Sequence, residues 1–325
     1  MQAQMQAQAN AAAPMAAAGK KNGFFTRLRK DLKKNYILYL LILPVFLYYV
    51  IFAYVPMYGI QLAFKEFVPK LGIFGSPWVG LDNFTRFFSS YNFQSLLLNT
   101  LGISVYGLLA GFPIPILFAL LLNYLPGKRF RKSVQMVSYA PNFISVVVMC
   151  GMITIFLAPD TGIVNQIITA LGGKSVSFLS VPGYFKSIYV WTGVWQGMGF
   201  SSIIYISALS GVDGQLHEAA IIDGATKFQR IVHIDIPSIA PTMIILLILS
   251  LGSIMSVGFE KIYLLQNSLN MSASDVISTY VYRVGLIDSD YSYSTAVGLF
   301  NSVINAILLV TVNTAAKKLS STSLW

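Results

Sequence analysis

Six stretches of this sequence are long and apolar enough to cross a lipid bilayer. A spanning helix needs about 20 mostly apolar residues, because each residue adds about 1.5 Å across about 30 Å of hydrocarbon. None of the stretches carries a charged residue in its central part. They are Tyr36–Gly59, Leu98–Tyr124, Ser133–Ala158, Ser187–Ser210, Ile239–Leu265 and Ser294–Ala316. The sequence therefore predicts an all-α polytopic membrane protein with six transmembrane helices.

Composition agrees with that prediction and excludes several classes of protein. Charged residues make up 10% of the 325 residues and hydrophobic residues 55%, whereas a soluble domain carries about 25% charged residues. The single cysteine, Cys150, excludes an internal disulfide and a cysteine-cluster metal site. No His, Asp and Ser set falls on one helix face. We therefore expect no catalytic activity, no metal and no cofactor bound by this chain.

Lysine and arginine predict the orientation. Most of the 22 Lys and Arg residues lie in the N-terminal segment, the second and fourth connections and the C-terminus. By the positive-inside rule these regions face the cytoplasm, so both termini are expected there. Residues 1–35 are expected to form a disordered, basic cytoplasmic tail. Residues 36–316 are expected to form the transmembrane domain, and residues 317–325 a cytoplasmic C-terminal tail.

The fourth connection, Gly211–Pro241, predicts two short helices around a turn. Asp213 can cap the first helix, because its carboxylate accepts from free N–H groups of the first turn. Gly224 ends that helix, since glycine takes a left-handed conformation at no steric cost. Thr226 can cap the second helix. The prediction is a compact knob that projects from a membrane bundle, with an amphipathic hairpin lying on the bilayer as the alternative.

The second of these two helices carries an apolar stripe. Phe228, Ile231 and Val232 stand at the i, i+3 and i+4 spacing that places side chains on one helix face. Pro237 and Pro241 follow, and we expect them to end this helix and admit the next spanning segment. The knob is therefore expected to be partly apolar.

The same connection resembles the signature loop of binding-protein-dependent ABC importer permeases. In that loop Glu-Ala-Ala is followed after three residues by Gly, and after nine more by Ile-x-Leu-Pro. Here Glu218-Ala219-Ala220, Gly224 and Ile234-Asp235-Ile236-Pro237 match every spacing, with Ile236 in place of leucine. The resemblance implies a coupling helix, residues 211–238, seated in a cleft of a cytoplasmic ATPase. The coupling residues it implies are Glu218, Ala219, Ala220, Asp223, Gly224, Phe228, Ile231 and Pro237.

Further strings are similar to the polysaccharide and oligosaccharide branch of that family, of the lipoprotein-associated and alginate-importer type. They are Tyr54–Gly59, Phe112–Pro115, Gln135–Ser145, Asp275–Tyr280 and Tyr293–Phe300. The resemblance implies a type I ABC importer permease in a bacterial inner membrane, which carries a sugar. It implies a heterodimer with a second, homologous permease subunit, two ATPase subunits that bind ATP and Mg²⁺, and an extracytoplasmic solute-binding protein.

Polar and aromatic side chains recur at helical spacing on three predicted membrane helices. A sugar presents hydroxyls and flat apolar C–H faces, so its path needs amide groups and aromatic platforms. The candidates are Asn142, Ser145, Trp191, Trp195, Tyr205, Asn301 and Asn305. Interhelical hydrogen bonding and ordinary packing are the alternative roles for each. Gly193 and Gly197 lie on the opposite face of the fourth helix, where small residues suit close helix contact.

Formal charge is expected to be absent from the middle of the membrane. Glu260 and Lys261 lie together near one end of the fifth stretch. A local ion pair is tolerated at a membrane interface, and this is the interpretation we favour. An acidic sugar would then meet no Lys or Arg in mid-membrane.

Two other classes of membrane protein are weighed against the importer. An ion-coupled secondary transporter predicts buried ionisable residues in mid-membrane and internal repeats, and neither is evident. A membrane enzyme predicts charged residues clustered at one interface, for which Glu260 with Lys261, or Asp288 with Asp290, are the candidates.

Overall fold

The computed structural model describes residues 24–319 and 323–324. Within these ranges the chain forms helices joined by turns and loops, and its one extended pairing is an isolated antiparallel bridge between Lys65 and Trp78. The chain divides into two compact units, Met1–Gly59 and Ile60–Trp325. The described chain is therefore all-α, as the apolar stretches predict.

The first unit is a run of consecutive helices. A π-helical turn, Val50–Tyr54, joins its second and third helices. Pro56 lies just after this turn, inside the continuous helical stretch Tyr36–Phe64, and the change of hydrogen-bond register at the π turn accommodates a residue without an N–H. The side chains from Tyr36 to Met57 are mostly exposed. The helices are α1 (Phe24–Lys34), α2 (Tyr36–Tyr49) and α3 (Val55–Met57).

Helix α1 lies inside the segment that was expected to be a disordered tail. Leu28 and Leu32 stand one turn apart among basic residues, a spacing that gives a helix an apolar face beside a charged one. Asp31 accepts from the amide of Asn35 at 2.7 Å and ties α1 to the start of α2. The expectation of disorder is therefore wrong for α1. Residues 1–23 lie outside the described residues, and for them it stays a prediction.

The second unit alternates long helices with short ones. The first seven are α4 (Gly72–Gly75), α5 (Asp82–Phe88), α6 (Phe93–Gly111), α7 (Pro113–Asn123), α8 (Lys128–Tyr139), α9 (Val146–Phe156) and α10 (Ile163–Ala170). The next four are α11 (Pro182–Ser210), α12 (Gly214–Ile222), α13 (Lys227–Arg230) and α14 (Ile236–Gly252). The last four are α15 (Phe259–Leu265), α16 (Met271–Ser274), α17 (Ile277–Tyr282) and α18 (Tyr291–Leu319).

Four helical stretches of the described chain are long and apolar enough to span a bilayer. They are Tyr36–Phe64, Phe93–Asn123, Lys227–Gly252 and Tyr291–Lys318. A fifth candidate, Lys128–Phe143 with Val146–Phe156, is bent by 97°. Helix α11 has 29 residues, which is long enough to span, but glycine, serine and glutamine interrupt its apolar run. All six predicted segments contain long helices, and the count of six spans stays a prediction.

Helix α11 lies at the centre of the second unit and packs against α6, α7, α8 and α14. Where it crosses α8, a Cβ at Gly199 would lie 2.1 Å from the carbonyl oxygen of Ser138, so the crossing requires glycine. An apolar cluster holds α7, α11 and α14 together near one end. Its buried members are Ile116, Ala119, Leu120, Tyr205, Leu209 and Ile239.

The fifth predicted span ends earlier than Leu265. Helix α14 ends at Gly252, and α15 is a separate helix that begins at Phe259. Asn305 of α18 holds the intervening turn: its side-chain oxygen accepts from the Met255 N–H, and its amide donates to the Ser256 hydroxyl, each at 2.9 Å. A side chain from another helix thus satisfies polar groups that the broken helix leaves free. The prediction of one helix over Ile239–Leu265 is wrong beyond Gly252.

Candidate functional site

The predicted hairpin (residues 211–238) is present, and both of its helices are capped as expected. The Asp213 carboxylate accepts from the second residue of α12 at 2.9 Å. Thr226 caps α13 in a capping box with Gln229. Gly224 joins the helices with a φ of +79°, a conformation that L side chains rarely adopt. Local hydrogen bonds therefore fix the shape of the hairpin.

The hairpin presents apolar side chains on its surface. Ile222 is 86% exposed and Phe228 is 74% exposed. Glu218, Ala219 and Asp223 are exposed as well. An exposed apolar patch rimmed by polar residues is typical of an interaction surface. The sequence motif did not mark Ile222, because its exposure depends on how the chain turns at Gly224.

A buried carboxylate anchors the hairpin to the long helices. Asp235 is fully buried, and its Oδ2 accepts from the Tyr124 hydroxyl at 2.6 Å. Its Oδ1 lies 3.3 Å from Nε2 of His217, and the Arg230 guanidinium lies 5.5 Å from the centre of the Tyr124 ring. The two partners of Asp235 come from α12 and from the residue after α7, and Asp235 itself comes from the π turn that leads into α14. Because an unpaired buried carboxylate is costly, the contact resists separation of these three elements. Sequence reasoning missed it, because nothing in the local pattern relates Tyr124 to the hairpin.

Three of the eight predicted coupling residues lie between the hairpin helices or where the hairpin meets the long helices. Ile231 packs against the apolar cluster of α7, α11 and α14, and Ala220 lines a small space between α12 and α13. Pro237 lies in the first turn of α14 and Pro241 inside it. The expectation that these prolines end the second helix is wrong. A π turn at Ile231–Asp235 lets the helix continue through them to Gly252.

Two neighbouring cavities lie along α11. The larger, of about 680 Å³, is bounded chiefly by α6, α7, α11 and α14. The smaller, of about 290 Å³, lies on the Gly193 and Gly197 face of α11. Volumes between about 300 and 1,000 Å³ are typical of ligand pockets. The two cavities have common walls formed by Gly107, Gly111, Pro115, Tyr189 and Ser201.

The structure separates the residues that were expected to face one sugar path. Tyr205 lines the larger cavity, whereas Asn301 lines a different one of about 470 Å³. Trp191 donates to the Tyr106 hydroxyl at 2.7 Å, and Trp195 is nearly half exposed without lining either α11 cavity. Only Tyr205 of these four therefore borders the cavities beside α11.

The other three expected path residues lie at or beside breaks between helices, and two of them support the backbone there. Ser145 caps α9 by accepting from the Val148 N–H at 3.3 Å. Asn142 lies in the 3-10 turn at the bend between α8 and α9. Asn305 holds the turn after α14. In these apolar segments a serine or asparagine thus marks a break in a helix. Sequence spacing alone could not distinguish that role from the role of a side chain that faces the path.

The glycine face of α11 lines a cavity. The expectation was that Gly193 and Gly197 allow close contact with another helix. A Cβ at Gly197 would meet no atom within 4 Å, and one at Gly193 would meet only Nζ of Lys261, at 3.3 Å. That expectation is therefore wrong, because the missing side chains leave open volume. Close helix contact falls on Gly199 instead.

Lys261 does not form the expected ion pair with Glu260. Its Nζ donates to the Tyr189 carbonyl oxygen at 2.9 Å and lies 4.8 Å from the centre of the Tyr189 ring. Glu260 is exposed, and the described residues include no ion pair between the two side chains. The break after Gly252 accounts for the difference, because it turns α15 so that Lys261 borders the smaller cavity.

Comparison with known proteins defines the class. The family described as "Binding-protein-dependent transport system inner membrane component" matches residues 111–321. That range includes the hairpin and both cavity-lining faces of α11. The chain belongs to this family, and it is therefore a transport subunit rather than an enzyme. Within the described ranges, no group of three or more His, Cys, Asp or Glu side chains could hold a metal ion.

Individual relatives narrow the class to ABC permeases. The chain is 42% identical to Protein LplB of Bacillus subtilis, over 96% of this chain and 97% of that protein. It is 41% identical to the polygalacturonan/rhamnogalacturonan transport system permease protein YteP of the same organism, over 98% and 99%. A chain of a bacterial alginate ABC transporter, in complex with an alginate pentasaccharide-bound periplasmic protein, is 40% identical with a TM-score of 0.85. The match covers 92% of this chain and all of that one.

Proposed function

We propose that this chain is one of two permease subunits of an ATP-driven importer for an oligo- or polysaccharide. The observation that carries the proposal is the hairpin. Its motif, its capped helices and its exposed apolar side chains suit a surface that binds a cytoplasmic ATPase. The names of the relatives support a saccharide cargo, since one is a permease for polygalacturonan and rhamnogalacturonan and another belongs to an alginate transporter.

The proposed assembly contains a second, homologous permease, two ATPase subunits that bind ATP and Mg²⁺, and an extracytoplasmic solute-binding protein. The alginate transporter complex, which includes a periplasmic protein loaded with a pentasaccharide, supports the last of these. The chain lies in the bacterial plasma (inner) membrane as a multi-pass protein. The distribution of lysine and arginine supports the placement of both termini in the cytoplasm.

Within the hairpin, each coupling residue has a proposed role. Glu218 and Asp223 offer charge to the ATPase, while Ala219 and Ala220 permit close approach. Gly224 allows the turn, and Phe228, joined by Ile222, enters the ATPase cleft. The anchor at Asp235 passes the movement of the hairpin to α7 and α14, since it joins the three elements. Ile231 and Pro237 maintain the packing and direction of the continuing helix.

The test is uptake of labelled alginate- or galacturonan-derived oligosaccharides into proteoliposomes that contain the assembled importer and internal ATP. We expect uptake that orthovanadate abolishes and that ionophores, which dissipate proton and sodium gradients, leave unchanged. Uptake that resists vanadate and stops with ionophores would refute the proposal and favour an ion-coupled transporter.

A further inference from the structure

The smaller cavity holds a cation beside the middle part of α11. Lys261 reaches it from α15 and contacts α11 at Tyr189 and Gly193. Helix α11 has 29 residues, so its midpoint is residue 196. At about 1.5 Å per residue, Gly193 lies about 4.5 Å and Tyr189 about 10 Å from that midpoint. The ammonium group is therefore well inside the length of the helix and away from either end.

No carboxylate neutralises this ammonium group. Among the described residues, no Asp or Glu oxygen lies within 4.0 Å of Nζ, and Glu260, its neighbour in sequence, is exposed. One N–H is used on the Tyr189 carbonyl oxygen, and an ammonium group has three. The lining of the smaller cavity contains no acidic side chain. The partners of the ammonium group are thus a backbone carbonyl oxygen and an aromatic ring.

Packing alone does not explain a charge at this position. A neutral side chain of the same length would fill the space beside Gly193, without the cost of keeping an ammonium group in an apolar bundle. A buried charge is tolerated when an opposite charge accompanies it. The cavity is open to such a partner, because the Gly193 and Gly197 face carries no side chain.

The remaining polar lining suits a sugar ring. Gln196 and Ser201 line the same cavity; the Gln196 amide nitrogen donates to the Ile144 carbonyl oxygen at 2.9 Å, so its side-chain oxygen and the Ser201 hydroxyl are the groups that can pair with sugar hydroxyls. The ring of Tyr189 lies beneath the Lys261 ammonium group and stacks on Phe185, so it holds the charge at the cavity wall. A single ammonium group matches the single charge of a carboxylate better than a phosphate ester, which carries close to two charges.

We propose that Lys261 is a specificity-determining residue that pairs with the carboxylate of an acidic saccharide as it passes the smaller cavity. The inference rests on the proposed function and adds to it the residue that selects for the acidic group of uronic acid units. The carboxylate replaces the missing protein partner of the ammonium group, so an acidic sugar lowers the cost of the partly buried charge whereas a neutral sugar does not.

The test compares a tetramer of galacturonic acid with its methyl ester, which has the same backbone and no charge. Uptake is measured in cells that carry the complete importer. In Lys261→Met we expect the rate for the tetragalacturonate to fall about tenfold relative to the ester. Lys261→Arg keeps the charge and is expected to stay within about threefold of wild type. Lys174→Met, at an exposed loop position, removes one charge elsewhere and serves as the matched control.

Several outcomes overturn the inference. A Lys261→Met variant that takes up tetragalacturonate at the wild-type rate would do so. An equal loss of acid uptake and ester uptake would also do so, because it indicates a role in packing. An Arg variant that behaves like the Met variant would also contradict it. A wild type that imports only the ester would refute the substrate class and leave the importer intact. Failure to import any saccharide would refute the proposed function itself.

Discussion

The hairpin and the α11 cavities differ in what determines their structure. The hairpin is shaped by contacts between residues close in sequence, such as the Thr226 capping box and the turn at Gly224. The cavities are bounded by α6, α7, α11, α14 and α15, which are distant in the chain. A surface determined locally can be moved as one body by a partner. A cavity bounded by separate helices changes shape when those helices move, which is what alternating access requires.

The largest effect is expected from a substitution that deforms the turn of the hairpin at Gly224. Gly224→Pro forces φ to about −65° where +79° is observed, and removes the N–H that donates to the Ile221 carbonyl oxygen at 3.1 Å. A cost of about 3 kcal/mol corresponds to roughly a hundredfold loss, so we expect uptake to fall by that factor or more. Proteoliposome uptake of the alginate- or galacturonan-derived oligosaccharide gives the measurement.

The matched control is Gly172→Pro. Gly172 has a φ of +84°, and its N–H donates to the Thr169 carbonyl oxygen at 3.0 Å, so the substitution causes the same local damage at another turn. We expect it to leave ATP-driven uptake within about threefold of wild type. Equal loss of uptake in both variants would mean that the hairpin has no special role.

The anchor is the next test, because it joins the locally determined hairpin to the long helices. Tyr124→Phe removes the hydroxyl that donates to Asp235 at 2.6 Å. A hydrogen bond to a charged group contributes about 1.5–3 kcal/mol, so we expect a lower unfolding temperature and less uptake per ATP hydrolysed. Tyr106→Phe, which loses the bond from the half-exposed Trp191, should change both by less. Normal coupling in Tyr124→Phe would exclude the anchor from transmission.

Two substitutions separate docking from packing within the hairpin. Phe228→Ala removes an exposed ring, and we expect ATPase association to weaken about tenfold or more with no change in thermal stability. Ile231→Ala removes a side chain that packs against the core cluster, and is expected to lower stability by about 1 kcal/mol or more while association is kept. Titrated co-purification and thermal unfolding provide the two readouts. The reverse pattern would assign ATPase docking to Ile231 and core packing to Phe228.

The smallest effect is expected on the glycine face of α11. Gly197→Ala adds a methyl group where no atom lies within 4 Å, so we expect unchanged or slightly higher stability and a decrease in uptake of about threefold or less. Gly199→Ala places the methyl group against the Ser138 backbone and is expected to cost about 1–3 kcal/mol of stability. Thermal unfolding and uptake measurements on both variants check these two expectations. A destabilised Gly197→Ala variant would show that Gly197 is closely packed against another helix.

The parts of the structure that the sequence predicted are those with local causes. Asp213, Thr226 and Gly224 act within a few residues of their own positions, so residue type and spacing indicate their roles. Long apolar runs predicted helices for the same reason, since the bilayer requires every backbone group to be satisfied within the segment.

The parts that could not be predicted depend on distant residues. Asn305 holds the turn after α14 through hydrogen bonds to residues about fifty positions away, and Tyr124 donates to Asp235 from 111 positions away. Lys261 borders a cavity only because α15 turns after that break. No periodicity in the sequence contains these relations, and the role of the path residues stays a prediction.

The central claim is that the exposed face of the hairpin seats in an ATPase. A photo-crosslinking residue placed at Ile222, which is 86% exposed, tests it most directly, with the core-facing Ile231 as the matched position. After irradiation of native membranes and denaturing purification, we predict a covalent adduct between the Ile222 position and an ATPase subunit, and none from Ile231. No ATPase adduct at Ile222, or equal adducts at both positions, would contradict the account.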